Sequence, residues 1–510
     1  MKTRYWARFT ANLLVLLATC AVAKCGFAQS DSPQSRGPRY RLIDLGTFGG
    51  PASYFQNGLD GILNNRGVAV GWSNTPAHDP FDPFCISVNC FAAHAFQFKN
   101  GMFRDLGTLP GGASSQAQWI SSNGLIAGLS DNGATDPTAA GFPELRAVLW
   151  RRDQIVDLGT LPEGGFQSIA NAVNNRGQVV GLAVNTTPDL FSFVGLPSQT
   201  RAFLWQNGVM QDLGTLGGPD AIAGLINDQG EITGPSYLPI DPATGAPAAV
   251  HPFFWKNGTM IDIGSLGGTD SEPTSMNARG EVVGYSTLAG DATSHPFLWR
   301  RGKLRDLGTL GGNSGTTNWI NDQGDIAGKA DLAGAAPQLH DAVLWRNGKM
   351  VDLGVLPGDS CSNAYYVNSR GQVVGTSENL DLCLIPTGQR AFLWEKGGPM
   401  VDLNTLIPPG ADLDLTFAVS INDRGEIAGF GVPAGCAPQD YESCGHAYIL
   451  MPCVEERECT NEALGNAGPF AGTPLRANSA RPVSLTPTLS LKSPFHQKVH
   501  FPGQRAVPSD

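Results

Sequence analysis

The chain has 510 residues, among them 64 glycines and 36 prolines, and 41% of its residues are hydrophobic. This composition is rich in turns yet sufficient for a packed core, so it favours many short strands. The net charge is −11 and only 15% of the residues are charged. We therefore expect no nucleic-acid partner, because the chain as a whole lacks the positive field that such binding needs.

The N-terminus is typical of a secretory signal peptide, assigned to residues 1–28. Three basic residues precede an apolar run that is too short to span a bilayer: Lys2, Arg4, Arg8 and then Leu13–Ala23. A lipid anchor on Cys20 or Cys25 is the less favoured alternative. With no later apolar segment of spanning length, we expect a secreted protein, extracellular or periplasmic, without a transmembrane segment.

A three-block repeat fills residues 39–450. The first block resembles DLGTLGG (212–218), the second INDQGDIAG (320–328) and the third RAFLW (201–205). The repeat occurs in eight copies, each marked by the aspartate of its first block: Asp44, Asp105, Asp157, Asp212, Asp262, Asp306, Asp352 and Asp402. Copies follow one another at 44 to 61 residues, close to the length of one propeller blade.

Each copy contains two hairpins. The pair Asn207-Gly208 separates the third block from the next first block, and Asn-Gly is a strong signal for a two-residue hairpin turn. The second block contains an N-x-x-G turn, as at Asn321, with Ser121 as the departure from Asn. Two hairpins predict four strands per copy.

The chain termini predict a closed ring. The segment RYRLIDLG (39–46) lacks a preceding third-block strand, and HAYIL (446–450) lacks a following first-block strand. Pairing of these two strands would complete one blade and remove exposed sheet edges. The predicted fold is all-β, a β-propeller of eight four-stranded blades closed by the N- and C-terminal strands.

Two repeated positions are interpreted as structural. The first-block aspartate lies diagonal to a cation at the head of the third block, as Asp212 does to Arg201, and only Asp341 breaks this pattern. A catalytic His-Asp pair is the less favoured interpretation, because eight copies do not make one active site. The tryptophan that ends the third block, such as Trp205, is expected to pack between blades.

These blocks resemble the HAF-repeat family of predicted extracellular proteins. The name-giving triplet stands at His94-Ala95-Phe96, and its variant RAFLW begins at Arg201 and Arg390. The resemblance covers residues 39–450. It implies an exported repeat protein, and it carries over no catalytic residue.

The inserts between the second and third blocks are where we expect binding. Antiparallel geometry places both tight turns of each copy on one rim, here called the tight-turn rim, and the inserts on the other, the insert rim. The tight-turn rim is expected to be inert. The longest insert, Trp72–Ala93, supplies the candidate ligand-binding residues, although its phenylalanines are equally suited to packing the loop onto the blade: Asp79, Phe81, Asp82, Phe84 and Phe91.

The chemistry of the chain favours a binding scaffold. No metalloprotease, nucleophile-elbow or phosphate-loop motif occurs. We expect no metal site and no cofactor, with calcium held by insert aspartates as the alternative to turn capping. The predicted function is an interaction scaffold for an unidentified extracellular protein or glycan, acting as a monomer, and this is favoured over an enzyme. The alternative is a hydrolase or lyase that acts on glycans from the insert rim.

Eight cysteines follow the signal peptide, and their proximity predicts local disulfides in an exported chain. The predicted pairs are Cys85–Cys90, Cys361–Cys383, Cys436–Cys444 and Cys453–Cys459. Zinc is disfavoured because no pair has C-x-x-C spacing. Residues 451–510 are assigned to a cysteine-containing segment and a disordered tail rich in Pro and Ser.

Overall fold

The computed structural model describes residues 39–56, 61–152, 154–334, 339–379, 387–437, 441–453 and 459. The predicted signal peptide and nearly all of the predicted tail therefore lie outside the described residues. Within them, no helix is long and apolar enough to cross a membrane.

The strands form successive groups of four, called units. The first strand of the described residues is β1 (Tyr40–Asp44). Unit 1 contains β2 (Ser53–Tyr54), β3 (Ala69–His78), β4 (Phe91–Lys99) and β5 (Met102–Asp105). Unit 2 contains β6 (Ser115–Ile120), β7 (Ile126–Thr135), β8 (Pro143–Arg151) and β9 (Gln154–Asp157). Unit 3 contains β10 (Ser168–Val173), β11 (Val179–Pro188), β12 (Ser198–Gln206) and β13 (Val209–Asp212). Unit 4 contains β14 (Leu225–Ile226), β15 (Ile232–Tyr237), β16 (Val250–Lys256) and β17 (Thr259–Asp262).

The second half continues in the same order. Unit 5 contains β18 (Gly267–Met276), β19 (Val282–Leu288), β20 (Ser294–Arg300) and β21 (Lys303–Asp306). Unit 6 contains β22 (Gly311–Ile320), β23 (Ile326–Leu332), β24 (His340–Arg346) and β25 (Lys349–Gly354). Unit 7 contains β26 (Cys361–Val367), β27 (Val373–Asn379), β28 (Thr387–Trp394) and β29 (Met400–Asp402), followed by a 3₁₀ helix (Leu403–Leu406). Unit 8 contains β30 (Leu413–Ile421), β31 (Ile427–Pro433), the short helix α1 (Tyr441–Cys444) and β32 (His446–Pro452).

The described strands build an all-β propeller that closes on itself. Six groups are separate four-stranded sheets, and units 4 and 5 are joined into an eight-stranded sheet by one parallel bridge between Val250 and Asp270. The predicted closure is present: β1 pairs antiparallel with β32, with Leu42 opposite Leu450. The N-terminal strand is thus the outer strand of unit 8 and covers the edge of β32.

The predicted aspartate-cation pair forms in six units. The described pairs, at 2.8 to 3.4 Å, are His94–Asp105, Arg201–Asp212, His251–Asp262, His295–Asp306, Arg390–Asp402 and His446–Asp44. Unit 2 departs from the prediction, because Arg146 pairs with Glu144 at 2.9 Å. In unit 6, where Asp341 replaces the cation, this carboxyl hydrogen-bonds Asp352, and burial raises the pKa of Asp341 to about 6, with a further contribution from the Asp352 charge.

The repeated tryptophans and glycines pack the units as predicted. Trp150, Trp255, Trp299, Trp345 and Trp394 are all less than 9% exposed, and Trp205 alone is half-buried. The glycine that ends each second block lies against the inner strand: a Cβ on Gly181 would stand 1.9 Å from the Ile169 carbonyl oxygen. A larger residue there would push the inner strand out of the core.

A ring of asparagines joins the units on the tight-turn rim. The side chain of Asn227, for example, accepts from the backbone N–H of Gln229 and Glu231 within its own turn, and donates to the Asn277 carbonyl of the next unit. Seven such links, of 3.0 to 3.4 Å, are donated by Asn64, Asn174, Asn227, Asn277, Asn321, Asn368 and Asn422. The link from Asn422 reaches Asn64 and joins unit 8 to unit 1, whereas between units 2 and 3, where Ser121 replaces the asparagine, Asn123 donates to the Asn175 carbonyl. The sequence predicted the bonds within each turn, and the structure adds the bonds between units.

Three predicted disulfides are present in the described part of the chain: Cys85–Cys90, Cys436–Cys444 and Cys453–Cys459. Cys361 is also disulfide-bonded, but Cys383, its predicted partner, lies outside the described residues. Three disulfides are consistent with a secreted or periplasmic protein.

Candidate functional site

The first insert, proposed from the sequence as the binding loop, is largely engaged in internal contacts. Asp79 is 3% exposed and accepts hydrogen bonds from Ser114 Oγ (2.7 Å) and the Phe81 backbone N–H (3.0 Å). Phe84 stacks on Phe142 of the next insert, with ring centroids 4.1 Å apart. These contacts match the packing alternative for this loop.

The remaining residues of that insert are less enclosed. Phe91 stacks on His78 (4.7 Å), Phe81 is half-buried and Asp82 is exposed. Asp82 lies beside the sulfurs of Cys85 and Cys90, but these sulfurs form a disulfide and therefore offer no thiolate to a metal ion.

Several insert aspartates cap the loops that carry them. Asp131 is fully buried and accepts backbone hydrogen bonds from Ala113, Ser114 and Gly133. Asp136 accepts from Thr138 and from the Gln167 side chain. These oxygens serve the loop structure, as the capping interpretation predicts. Calcium binding stays a prediction.

A second region of the insert rim differs strongly from unit to unit. A glycine ends the second block of every copy. We call the position directly after this glycine the post-glycine position. It pairs with a residue of the inner strand, as Leu182 pairs with Ile169 and Lys329 with Thr316. In units 2 to 4 this region is filled by buried apolar side chains. They form one cluster that contains Leu129, Leu145, Ile169, Leu182, Val184, Val194, Leu196 and Ile222.

In units 5 to 7 the same positions carry polar side chains. The pairs of inner-strand and post-glycine residues are Glu272 with Tyr285, Thr316 with Lys329, and Asn363 with Thr376. Glu272 is 1% exposed and Thr376 is fully buried, whereas Lys329 is half-buried. At the post-glycine position, these polar side chains stand where units 2 to 4 have Leu129, Leu182 and Pro235.

Lys329 is the centre of a charged group that we call the polar rim cluster: Lys329, Asp331, His340 and Glu378. Lys329 Nζ lies 3.5 Å from His340 Nε2. Asp331 stands opposite His340 across the strand pair and accepts a backbone hydrogen bond from Ser314 (2.9 Å). Glu378, from unit 7, is hydrogen-bonded to the Gln389 side chain. Units 6 and 7 thus contribute both signs of charge to one place.

Burial shifts the pKa values of this cluster in opposite directions. It lowers the pKa of Lys329, against the opposing charges of Glu378 and Asp331. It raises the pKa of Glu378 and of Asp331, against the stabilising charge of Lys329. Burial disfavours every charged form, so the amine releases its proton more easily and the carboxyls keep theirs longer than in water. Groups of this kind are suited to proton transfer as well as to ligand binding.

Of this cluster, the sequence marks His340, as a histidine outside the repeated cation position, and Asp331, as one of the insert aspartates that cap turns or bind calcium. Lys329, Glu378, Glu272 and Tyr285 were not recognised. A comparison of the eight copies at the post-glycine position would have shown Lys329 as a charge among mostly apolar residues. Motif searches could not find the cluster, because its members lie on three strands, β23, β24 and β27.

No protein-family model matches the chain, and no curated protein sequence matches it. Among solved structures, the β-propeller domain of the Trilobed protease from Pyrococcus furiosus is 11% identical, with TM-score 0.36, covering 73% of this chain and 100% of that domain. Porphyromonas gingivalis dipeptidyl peptidase 4 is 10% identical, with TM-score 0.43 and coverages of 71% and 56%. Pyrococcus horikoshii acylaminoacyl peptidase is 10% identical, with TM-score 0.36 and coverages of 77% and 58%. The chain thus spans little more than half of either peptidase, and likeness at this level says nothing of activity.

Proposed function

We propose that this protein is exported and acts as a binding scaffold, with an extracellular protein or glycan held at the polar rim cluster. The observation that carries the proposal is Lys329, which lies beside His340 and near Glu378 and occupies a position that is apolar in units 2 to 4. A buried charge costs folding free energy. A scaffold that needs only to fold would keep the apolar residue found elsewhere in its own ring.

The export part of the proposal has separate support. The N-terminal sequence is typical of a signal peptide, and the disulfides require an oxidising compartment to persist. The third-block triplets further favour a place among HAF-repeat proteins. Fractionation of cells that express the full chain, with N-terminal sequencing of the product, tests export. An uncleaved cytoplasmic product would contradict it.

Binding is tested with the variant Lys329→Met/Glu378→Gln on arrays of glycans and secreted proteins. Both substitutions keep the side-chain volume and remove charge. The matched control is Leu129→Met, which changes the same position in unit 2 without changing its polarity. We expect the double variant to lose a partner that the wild type and the control both bind. Full retention of that partner would show that the cluster is not the binding site.

A second candidate function is a hydrolase or lyase that acts on glycans at the same cluster. The specific observation is the proximity of Lys329, an amine of lowered pKa, to Glu378, a carboxyl of raised pKa, an arrangement that suits one site to provide both a base and an acid. Incubation with a glycan panel, followed by detection of new reducing or unsaturated ends, tests it. Loss of turnover with bound ligand retained in Lys329→Met would support catalysis over binding alone.

A further inference from the structure

An open cleft lies on the tight-turn rim where units 2 and 3 meet. Its volume is about 520 Å³, and its lining includes Arg151, Arg176, Gln178, Trp205 and Gln206. A second cleft of about 510 Å³ shares Arg151 and is lined also by Arg152, Asn123 and Gln154. The surface therefore combines guanidinium groups, amides and one indole ring.

Arg151 differs from its counterparts Lys256, Arg300 and Arg346, and Arg176 differs from Arg279 and Arg424, because each of these counterparts pairs with an acid. Arg151, Arg152 and Arg176 are exposed, and none of them forms an ion pair within the described ranges. Arg151 and Arg176 lack an ion pair because the residue that follows the glycine of the second-block turn is not acidic here. It is Leu125 in unit 2 and Gln178 in unit 3, and Gln178 donates to the Gln206 side chain (2.9 Å).

In units 4, 5, 6 and 8 this residue is an acid that neutralises a neighbouring cation. In unit 5, Glu281 pairs with both Arg279 (2.5 Å) and Arg300 (2.7 Å). Equivalent pairs are Glu231–Lys256, Asp325–Arg346 and Glu426–Arg424. The cleft between units 2 and 3 therefore keeps the cations of the repeat but lacks the acids that pair with them in units 4, 5, 6 and 8.

Trp205 is the second departure from the repeat at this cleft. Its five tryptophan counterparts are buried between units, but Trp205 is half-buried and faces the cleft. Indole faces are favourable surfaces for sugar rings as well as cations. Guanidinium groups bind carboxylates and sulfates through paired hydrogen bonds, and side-chain amides match sugar hydroxyls.

We propose that this cleft binds an acidic oligosaccharide. The carboxylate or sulfate groups of the ligand are held by Arg151, Arg152 and Arg176, and one of its sugar rings packs on Trp205. This assigns a role to the rim that its short, uniform turns predicted to be inert. That prediction rested on turn length, whereas the charge is set by the residues on either side of the turns.

The test is calorimetric titration of the full mature chain with oligogalacturonate as the carboxylated probe and a heparin fragment as the sulfated probe. The test variant is Arg151→Ala/Arg176→Ala. The matched control is Arg300→Ala/Arg301→Ala, which changes the equivalent hairpin of unit 5. We expect the test variant to weaken binding about tenfold or more and the control to leave it unchanged. Wild-type affinity should fall as ionic strength rises.

Two further variants test the missing acid and the contribution of the indole ring. Gln178→Glu restores the acid found in unit 5 and should weaken binding by pairing with Arg176. Trp205→Phe, which places in unit 3 the residue that unit 1 has at Phe98, should weaken binding while the fold is kept, as judged by the melting temperature. Equal affinity of the test and control variants would overturn the proposal. So would equal binding of a neutral glycan, or stronger binding of single-stranded DNA or of anionic lipid vesicles than of both probes.

Discussion

In units 2 to 4 the post-glycine position holds Leu129, Leu182 and Pro235, whereas in units 5 to 7 it holds Tyr285, Lys329 and Thr376. The strands around these positions have the same register in both sectors, down to the bulge in the inner strand that lies beside Gly181 and Gly328. Backbone geometry is thus independent of side-chain polarity here. Because turns, glycines and pairs between units fix the fold, the post-glycine positions can carry polar as well as apolar side chains.

The two sectors also differ in what covers them. The apolar sector is covered by its own inserts, since Val194 and Leu196 of the unit 3 insert join the buried cluster. In the polar sector the charged groups compensate one another, with Lys329 beside His340 and under the influence of Glu378. One half of the insert rim is closed by hydrophobic burial, and the other half keeps titratable groups within reach of solvent.

The largest expected effect comes from opening the ring that both sectors share. Truncation before His446 removes β32 and with it the partner of β1, so we expect a loss of about 5 kcal/mol or more and an aggregation-prone edge. Truncation after Pro452 keeps the pairing and should cost far less. Melting and light scattering of the two products check this, and equal melting temperatures would refute the role of β32 in closure.

The next effect tests the sectors by exchanging their residues. Leu182→Lys puts a charge into the dry cluster without a partner and should cost about 3 kcal/mol or more. The reciprocal Lys329→Leu should be neutral or stabilise by about 1 to 2 kcal/mol, because it removes a half-buried charge. Urea unfolding of both variants measures this difference. Similar destabilisation by both would mean that the two sectors are not distinguished by solvation.

A smaller effect concerns the broken cation position of unit 6. Because the folded-state pKa of Asp341 is about 6, above the ordinary value of about 3.9, the wild type loses stability as pH rises from about 4 to about 6. Asp341→Arg restores the pair present in units 3 and 7 and should gain about 1 to 2 kcal/mol at pH 7. The gain should shrink at pH 4, where Asp341 is protonated. A pH-independent gain would assign the effect to packing.

The smallest effect belongs to the apolar sector. Burial raises the pKa of Asp220 to about 7, two backbone N–H groups oppose this shift, and the nearby Asp189 adds to it. Stability should therefore fall between about pH 4 and pH 7. Asp189→Asn should lower the pKa of Asp220 and reduce this fall by less than about 1 kcal/mol. Melting temperatures measured across this pH range check it, and an unchanged slope would mean that Asp189 does not influence Asp220.

Much of the fold could be predicted from the sequence because its determinants are local. Asn207 and Gly208 have the positive φ angles, 53° and 83°, that their hairpin turn requires, and no distant residue is needed for this. The opposition of Phe203 to Asp212 follows from the turn length. The predicted disulfides also follow from local determinants, because they join cysteines that are close in sequence. Eight repetitions of these short-range rules determined the four-strand units and the closure.

Only the tertiary structure decided which polar residues work together. Lys329 and Glu378 lie on neighbouring units and are brought together by the curvature of the ring, which no local pattern records. The same holds for Arg151 and Arg176, which meet in one cleft, and for the asparagine links, whose acceptors belong to the next unit. Turn geometry is fixed within a few residues, whereas burial, charge compensation and pKa depend on every element that packs around a group. The sequence therefore determined the scaffold, and the packing of its units determined where chemistry is available.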